Sequence, residues 1–169
     1  MIQFTEDRPK IAKFLGSSVQ KFAQEFPGSK VCIFGVYCCP WSGWISTNFE
    51  SAAHMEQHLA GWRASEPDFI ESDEWGEYND NCPDFEHVEY SLLELEHWQA
   101  EYEAGGPFQV RKDGKTQRFS ENDEDINRFF FTELLPIVQE VNFTPLIKTE
   151  VFRIGVQMLD SDYLKFWKV

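Results

Sequence analysis

Glu50, His54 and His58 have the side chains and the spacing to ligate a metal. They recur every four positions, and on a helix that interval puts them in one stripe, away from the apolar side formed by Ala52, Met55, Leu59 and Trp62. Two histidines four apart can chelate zinc, and a further carboxylate would complete a set for a metal-dependent hydrolase. The segment HMEQH is not HExxH, because Glu56 stands in the wrong place for that general base. An ordinary solvated helix face shows the same spacing, so the hydrolase is the alternative reading and no cofactor is implied.

A second set of chemically capable residues is far larger. Between Ala64 and Val110 the chain carries fourteen Asp and Glu and no Lys or Arg, while the remaining 15 acids are matched by all 15 bases, so the net charge of -14 belongs to one region. The segment fits neither the calcium-loop spacing of an EF-hand nor any distinctive acid and base pair. Its aromatic residues, spread among the carboxylates, distinguish it from a solvated acidic tail. Two readings remain: a solubilising face over core aromatics, or a docking surface for a basic protein. The docking surface would comprise Glu71, Asp73, Glu74, Trp75, Glu77, Tyr78, Asp80, Asp84, Phe85 and Glu86. Complementary charge speeds encounter, and desolvated aromatic rings supply contact energy.

The same charge argues against nucleic acid, whose affinity for proteins comes largely from Lys and Arg on phosphates, and against anionic membrane surfaces. The opening residues MIQFTEDRPK hold no apolar stretch of secretory length, and no run approaches a bilayer span, so a cytoplasmic protein is expected. Cys32, Cys38, Cys39 and Cys82 lack CxxC spacing and read as reduced thiols. GxSxG, GxGxxG, P-loop and Cys-His signatures are absent.

The elements that must position these groups follow from periodicity. Ile11, Leu15, Phe22 and Phe26 mark a helix from about Pro9 to Phe26, with Pro9 in its first turn, and Lys30 to Cys38 reads as a central strand. Gly43 to Thr47 reads as a short returning strand, and Asn48 as the N-cap of the helix carrying His54 and His58. Asn79 to Asp84 is a turn, and Ser91 to Glu103 a helix stopped by Gly105-Gly106. Asp113-Gly114 signals a tight hairpin within Phe108 to Phe119, whose cations Arg111, Lys112, Lys115 and Arg118 either pair with the acidic face or meet solvent. A helix follows from Ser120 to about Asn142, kinked or divided at Pro136, and Glu150 to Leu159 alternates as a strand. Mixed order with few βαβ units predicts an α+β fold. One domain over residues 1–169 is expected, with a mixed or mainly antiparallel central sheet of about 4–6 strands flanked by helices.

The layout has a likeness. A helix, the strand KVCIFGVYC and a turn lead into STNFESAAHMEQHL, where Thr47, Asn48 and Glu50 look like an N-T-E-type helix start. EWGEY, a helix after VEY, and VFRIGVQMLDSD with Asp160, Ser161 and Asp162 complete it. Together these segments resemble the uncharacterised bacterial family called domain of unknown function 4303. The resemblance implies a bacterial accessory protein and transfers no catalytic residue. Small acidic domains of this layout are similar to immunity proteins of toxin systems, whose acidic face occludes a basic nuclease or other toxin. The expected function is therefore non-enzymatic binding of a basic protein, with a metal-dependent hydrolase or a homo-oligomeric structural protein as alternatives.

Overall fold

The computed structural model describes residues 1–65, 80–120 and 123–169, apart from the side chains of Trp62 and Arg63. Its order is β1 (Ile2–Gln3), α1 (Phe4–Glu25), β2 (Lys30–Cys39), β3 (Trp44–Ser51), α2 (Ala52–Ser65), a 3-10 turn at Cys82–Asp84 and β4 (His87–Glu94). There follow α3 (Glu96–Glu103), β5 (Phe108–Lys112), β6 (Lys115–Phe119), α4 (Asp123–Gln139), β7 (Ile147–Met158) and β8 (Leu164–Lys168). A mixed five-stranded sheet runs β4-β3-β2-β7-β8 and a three-stranded one runs β1-β5-β6. This is an α+β fold, as the alternation of hairpin and helix signals indicates.

The inner face of the large sheet is set by period-two alternation. Phe34, Val36 and Cys38 of β2 lie beside Phe49, Thr47 and Ile45 of β3 and beside Ile154, Val156 and Met158 of β7, all of them buried. Helix α1 closes this face. Phe22 stacks on Phe49 with ring centroids 4.0 Å apart, and Ser18 shares a 2.6 Å hydrogen bond with Thr47 across the helix-sheet seam. The small sheet joins the same core through Phe108 against Phe130 and Phe119 against Phe129. At the hairpin tip Asp113 and Gly114 both have positive φ, 49° and 79°, as a type I′ turn requires.

Several boundaries differ from the sequence reading, each for a packing reason. Helix α1 begins at Phe4, because Phe4 is buried against Phe129 and Phe130, and so Pro9 lies in the second turn at the loss of one intrahelical bond. Asn48 is not a helix cap. The strand continues to Ser51, and it is the Ser51 hydroxyl that accepts the His54 amide at 3.1 Å, three residues into α2. Ser91–Glu94 is strand rather than helix, since β3 takes β4 as its outer partner and α3 starts only at Glu96. Pro136 sits in the last turn of α4, which ends at Gln139. Among the described residues no helix is long and apolar enough to cross a membrane.

Candidate functional site

The outer face of the large sheet holds the region singled out by sequence. Ile33, Gly35 and Tyr37 of β2 alternate outward, with Glu50, Asn48 and Ser46 of β3 on one side and Arg153, Gly155 and Gln157 of β7 on the other. Gly35 and Gly155 are direct neighbours, and together they leave a trough. A Cβ on Gly35 would stand 2.5 Å from Cys82 Sγ and 3.0 Å from the Phe85 ring, and one on Gly155 2.3 Å from the Phe166 ring. The chain from Asp80 to Glu86 therefore lies across the sheet as a strap, seated by Cys82 and Phe85.

Three anchors hold the strap. Arg153 approaches Asp80 Oδ1 at 2.6 Å, off the N–H axis, so the pair has charge contact without an aligned hydrogen bond. Gln157 accepts the Cys82 amide at 2.7 Å and donates to Asn81 Oδ1 at 2.8 Å. Glu50, almost wholly buried, accepts the Glu86 amide at 3.0 Å on one oxygen and His54 Nδ1 at 2.8 Å on the other. Burial raises the Asp80 pKa to about 6 against the pull of Arg153, and burial likewise raises Glu50 against the His54 hydrogen bond.

The strap leads into β4, the outermost strand on that side. A bulge interrupts its pairing with β3 where Glu89 takes φ 47°, and the buried Asn48 side chain fills the gap by accepting the Glu89 amide at 2.8 Å. Asp84, Glu86, Glu89, Glu94 and Glu96 are exposed along this edge, with Val88 and Leu92 exposed among them. Lysine and arginine ion pairs of the described residues join Arg8 to Glu140, Lys10 to Asp7, Lys21 to Glu25, Lys112 to Glu133, Arg128 to Asp125 and Arg153 to Asp80. None of them reaches these edge carboxylates, and among the described residues the Glu86 carboxylate forms an ion pair with the His87 ring alone, at 3.8 Å. The hairpin cation Lys112 is engaged by α4 instead of the acidic stretch.

Of the residues expected at a docking surface, Glu71, Asp73, Glu74, Trp75, Glu77 and Tyr78 lie outside the described residues. Asp84 and Glu86 face outward as that reading requires. Asp80 and Phe85 do not: Asp80 is paired inside with Arg153, and Phe85 is 4% exposed beneath the strap because the trough beside Gly35 accommodates its ring. Glu94 and Glu96 join the edge although sequence did not single them out, since a helix starting at Ser91 obscured the strand. The alternation of HVEYSLLE was the available signal.

The proposed metal set comes together in a different form. Glu50 belongs to β3 and not to the helical stripe, and its two oxygens serve the strap and His54. The His58 ring lies 4.2 Å from that of His54, between centroids. Among the described residues no group of three or more His, Cys, Asp or Glu is arranged to hold a metal ion. All four cysteines are free and buried, and burial pushes the Cys32 thiol up to about 12, so these are packing groups at neutral pH.

Sequence reasoning also missed a buried polar cluster on the opposite side of the molecule. Asp7 of α1 accepts Trp98 Nε1 at 2.9 Å and His97 Nε2 at 2.7 Å from α3, and Lys10 Nζ at 3.0 Å from its own helix. Burial alone would raise its pKa, but the three donors outweigh it and hold the carboxyl below the usual value. Its two α3 partners are 90 and 91 residues away in the chain, so no local pattern announces them.

No family model, curated protein or solved structure matches this chain. Function must therefore be argued from the site itself.

Proposed function

We propose that this chain is a non-enzymatic acidic binding domain for a basic protein, of the toxin-neutralising kind to which small acidic domains of this layout are similar. The observation that carries the reading is the β4 edge, where Glu86, Glu89, Glu94 and Glu96 have no Lys or Arg partner among the described residues and flank exposed Val88 and Leu92. Among the described residues no further strand pairs with β4; such an edge is an invitation to pairing, and its acidic side chains restrict which partners accept it. Long-range attraction would raise the encounter rate with a cationic protein, while the apolar side chains supply contact once water leaves. Neutralisation then needs no chemistry, only occlusion of the basic face of the partner. A bacterial, cytoplasmic setting goes with this reading.

The test uses the wild-type chain and a Glu89→Lys/Glu94→Lys/Glu96→Lys variant as parallel baits. A basic protein should be retained by wild type at low salt, released as salt screens the contact, and lost from the variant. Co-expression with the captured protein should restore growth where that protein is toxic. Equal retention by both baits would end the proposal.

A second copy of the chain is the competing occupant, favoured by one observation. The opposite edge strand, β8, exposes Lys165 and Lys168 without an ion-pair partner among the described residues, so an acidic and a basic edge bound the same sheet. Light scattering at low and high salt separates the two readings, since self-association through these edges would raise the mass only at low salt.

A further inference from the structure

A cleft distinct from the β4 edge lies where the first turn of α4 meets the turn joining β7 to β8. It encloses about 440 Å³, with Asp123 and Glu124 on the helix and Asp160, Asp162 and Tyr163 on the turn. Tyr102 donates to Asp123 at 3.3 Å, yet no Lys or Arg among the described residues forms an ion pair with Asp123, Asp160 or Asp162. One further residue lining the cleft is Asn127, 2% exposed, whose side-chain oxygen has no hydrogen-bond partner. Buried amides are almost always paired, and an isolated acceptor in a wall of carboxylates is an unfilled position for a donor.

We propose that this cleft binds an organic cation, the alkylammonium or guanidinium group of a small amine or of a basic side chain. A bare metal ion needs its oxygens converged within about 2.6 Å of one point, and no such convergence of three carboxylates exists among the described residues. A cleft of this volume instead suits a group that carries several N–H donors on a carbon frame. Asp160 and Asp162 would take charge-assisted hydrogen bonds, Asn127 Oδ1 would take a neutral one, and the Tyr163 ring offers an aromatic face for the cation. The geometry of the turn supports that arrangement: Asp160 holds φ 49°, and the Ser161 hydroxyl accepts the Tyr163 amide at 3.2 Å, which sets the two exposed aspartates on either side of it.

Calorimetric titration of the full chain with spermidine, arginine amide and calcium chloride tests this. One site for an organic cation is expected, and Asp160→Asn/Asp162→Asn should weaken it about tenfold or more, the worth of a charge-assisted hydrogen bond. Asparagine tolerates the left-handed backbone at position 160, so this variant keeps the turn. Asn127→Leu should weaken binding without changing charge, and its folding is checked by thermal unfolding; if it fails to fold, the aspartate variant still decides. Glu94→Gln/Glu96→Gln removes as much charge elsewhere and should change affinity less than about twofold. Tighter binding of arginine amide would assign a protein side chain, and tighter binding of spermidine a free amine. The proposal is overturned if neither cation binds, if the edge variant loses as much as the aspartate variant, or if calcium alone binds there.

Discussion

Two buried carboxylates in this molecule have opposite surroundings. Asp7 sits between α1 and α3 with three donors on its two oxygens, and its pKa is held below the usual value. Asp80 begins the strap, facing one misaligned guanidinium, and burial raises its pKa to about 6. Both side chains are largely out of water. Donor number and alignment, and not depth alone, decide whether burial of the charge is compensated. The α1-α3 junction is therefore a lock whose charge is fully satisfied, whereas the strap is seated chiefly by shape, through Cys82 and Phe85 in the glycine trough.

The largest effect should come from opening the lock. Asp7→Ala leaves the Trp98 indole N–H buried without an acceptor and removes the partner of His97 and Lys10, and it should cost about 3 kcal/mol. Asp7→Asn keeps one acceptor for Trp98 and should cost about half as much. Urea denaturation measures both, and equal losses would show that charge rather than acceptor count maintains the junction.

Shape at the strap is tested next. Gly35→Ala would drive a methyl group toward Cys82 Sγ and Phe85, an overpacking of about 2 kcal/mol. In a Cys82→Ala background the obstructing sulfur is gone, so the same substitution should cost clearly less. A double-mutant cycle reads the coupling, and additive losses would mean that the strap does not rest on Gly35.

Charge at the strap is the third test. The Asp80 pKa rises from 3.8 to about 6 on folding, so between these values the folded state holds the extra proton. Stability from this group is therefore present below pH 4 and lost as the pH rises through 6. Asp80→Asn mimics the protonated form. It should flatten the stability profile between pH 4 and 7 and raise stability at pH 7 by on the order of 1 kcal/mol. A loss at pH 7 would show that the contact with Arg153 outweighs the desolvation of Asp80.

What could be read from the sequence divides along the same line between local and distant partners. The alternation of Phe152, Ile154, Val156 and Met158, the Asp113-Gly114 turn and the apolar stripe of α1 are short-range patterns, and each stands in the fold. Asn48 shows the limit. Its type suits a helix cap, but its amide instead fills the bulge opposite Glu89, a position defined by a strand that starts 39 residues later. The strand β4 itself was hidden because Leu92, Leu95 and Trp98 also fit a helical period, and only the vacancy beside β3 decides between the two. At the candidate site, the acidic character was legible from charge segregation alone. Which carboxylates turn inward was not, because Arg153, Gln157 and the two trough glycines come from strands far along the chain.

The smallest predicted effect separates the two regions within one unmodified molecule. Asp7, with its lowered pKa, contributes stability that is present above the unfolded carboxylate value and is lost only as the pH falls below about 4. Asp80 has the opposite sign over about pH 4 to 6. Lowering the pH from 7 to 5 should therefore tighten the strap while leaving the lock unchanged. Hydrogen exchange, corrected for the intrinsic pH dependence, reads this at single amides. The Cys82 amide, bonded to Gln157, should gain protection of about threefold, and the Trp98 amide, bonded to the Leu95 carbonyl at the lock, should stay level. Parallel changes at both sites would mean that strap and lock open as one cooperative unit, and the contrast between a charge-satisfied junction and a shape-seated strap would then have no energetic consequence.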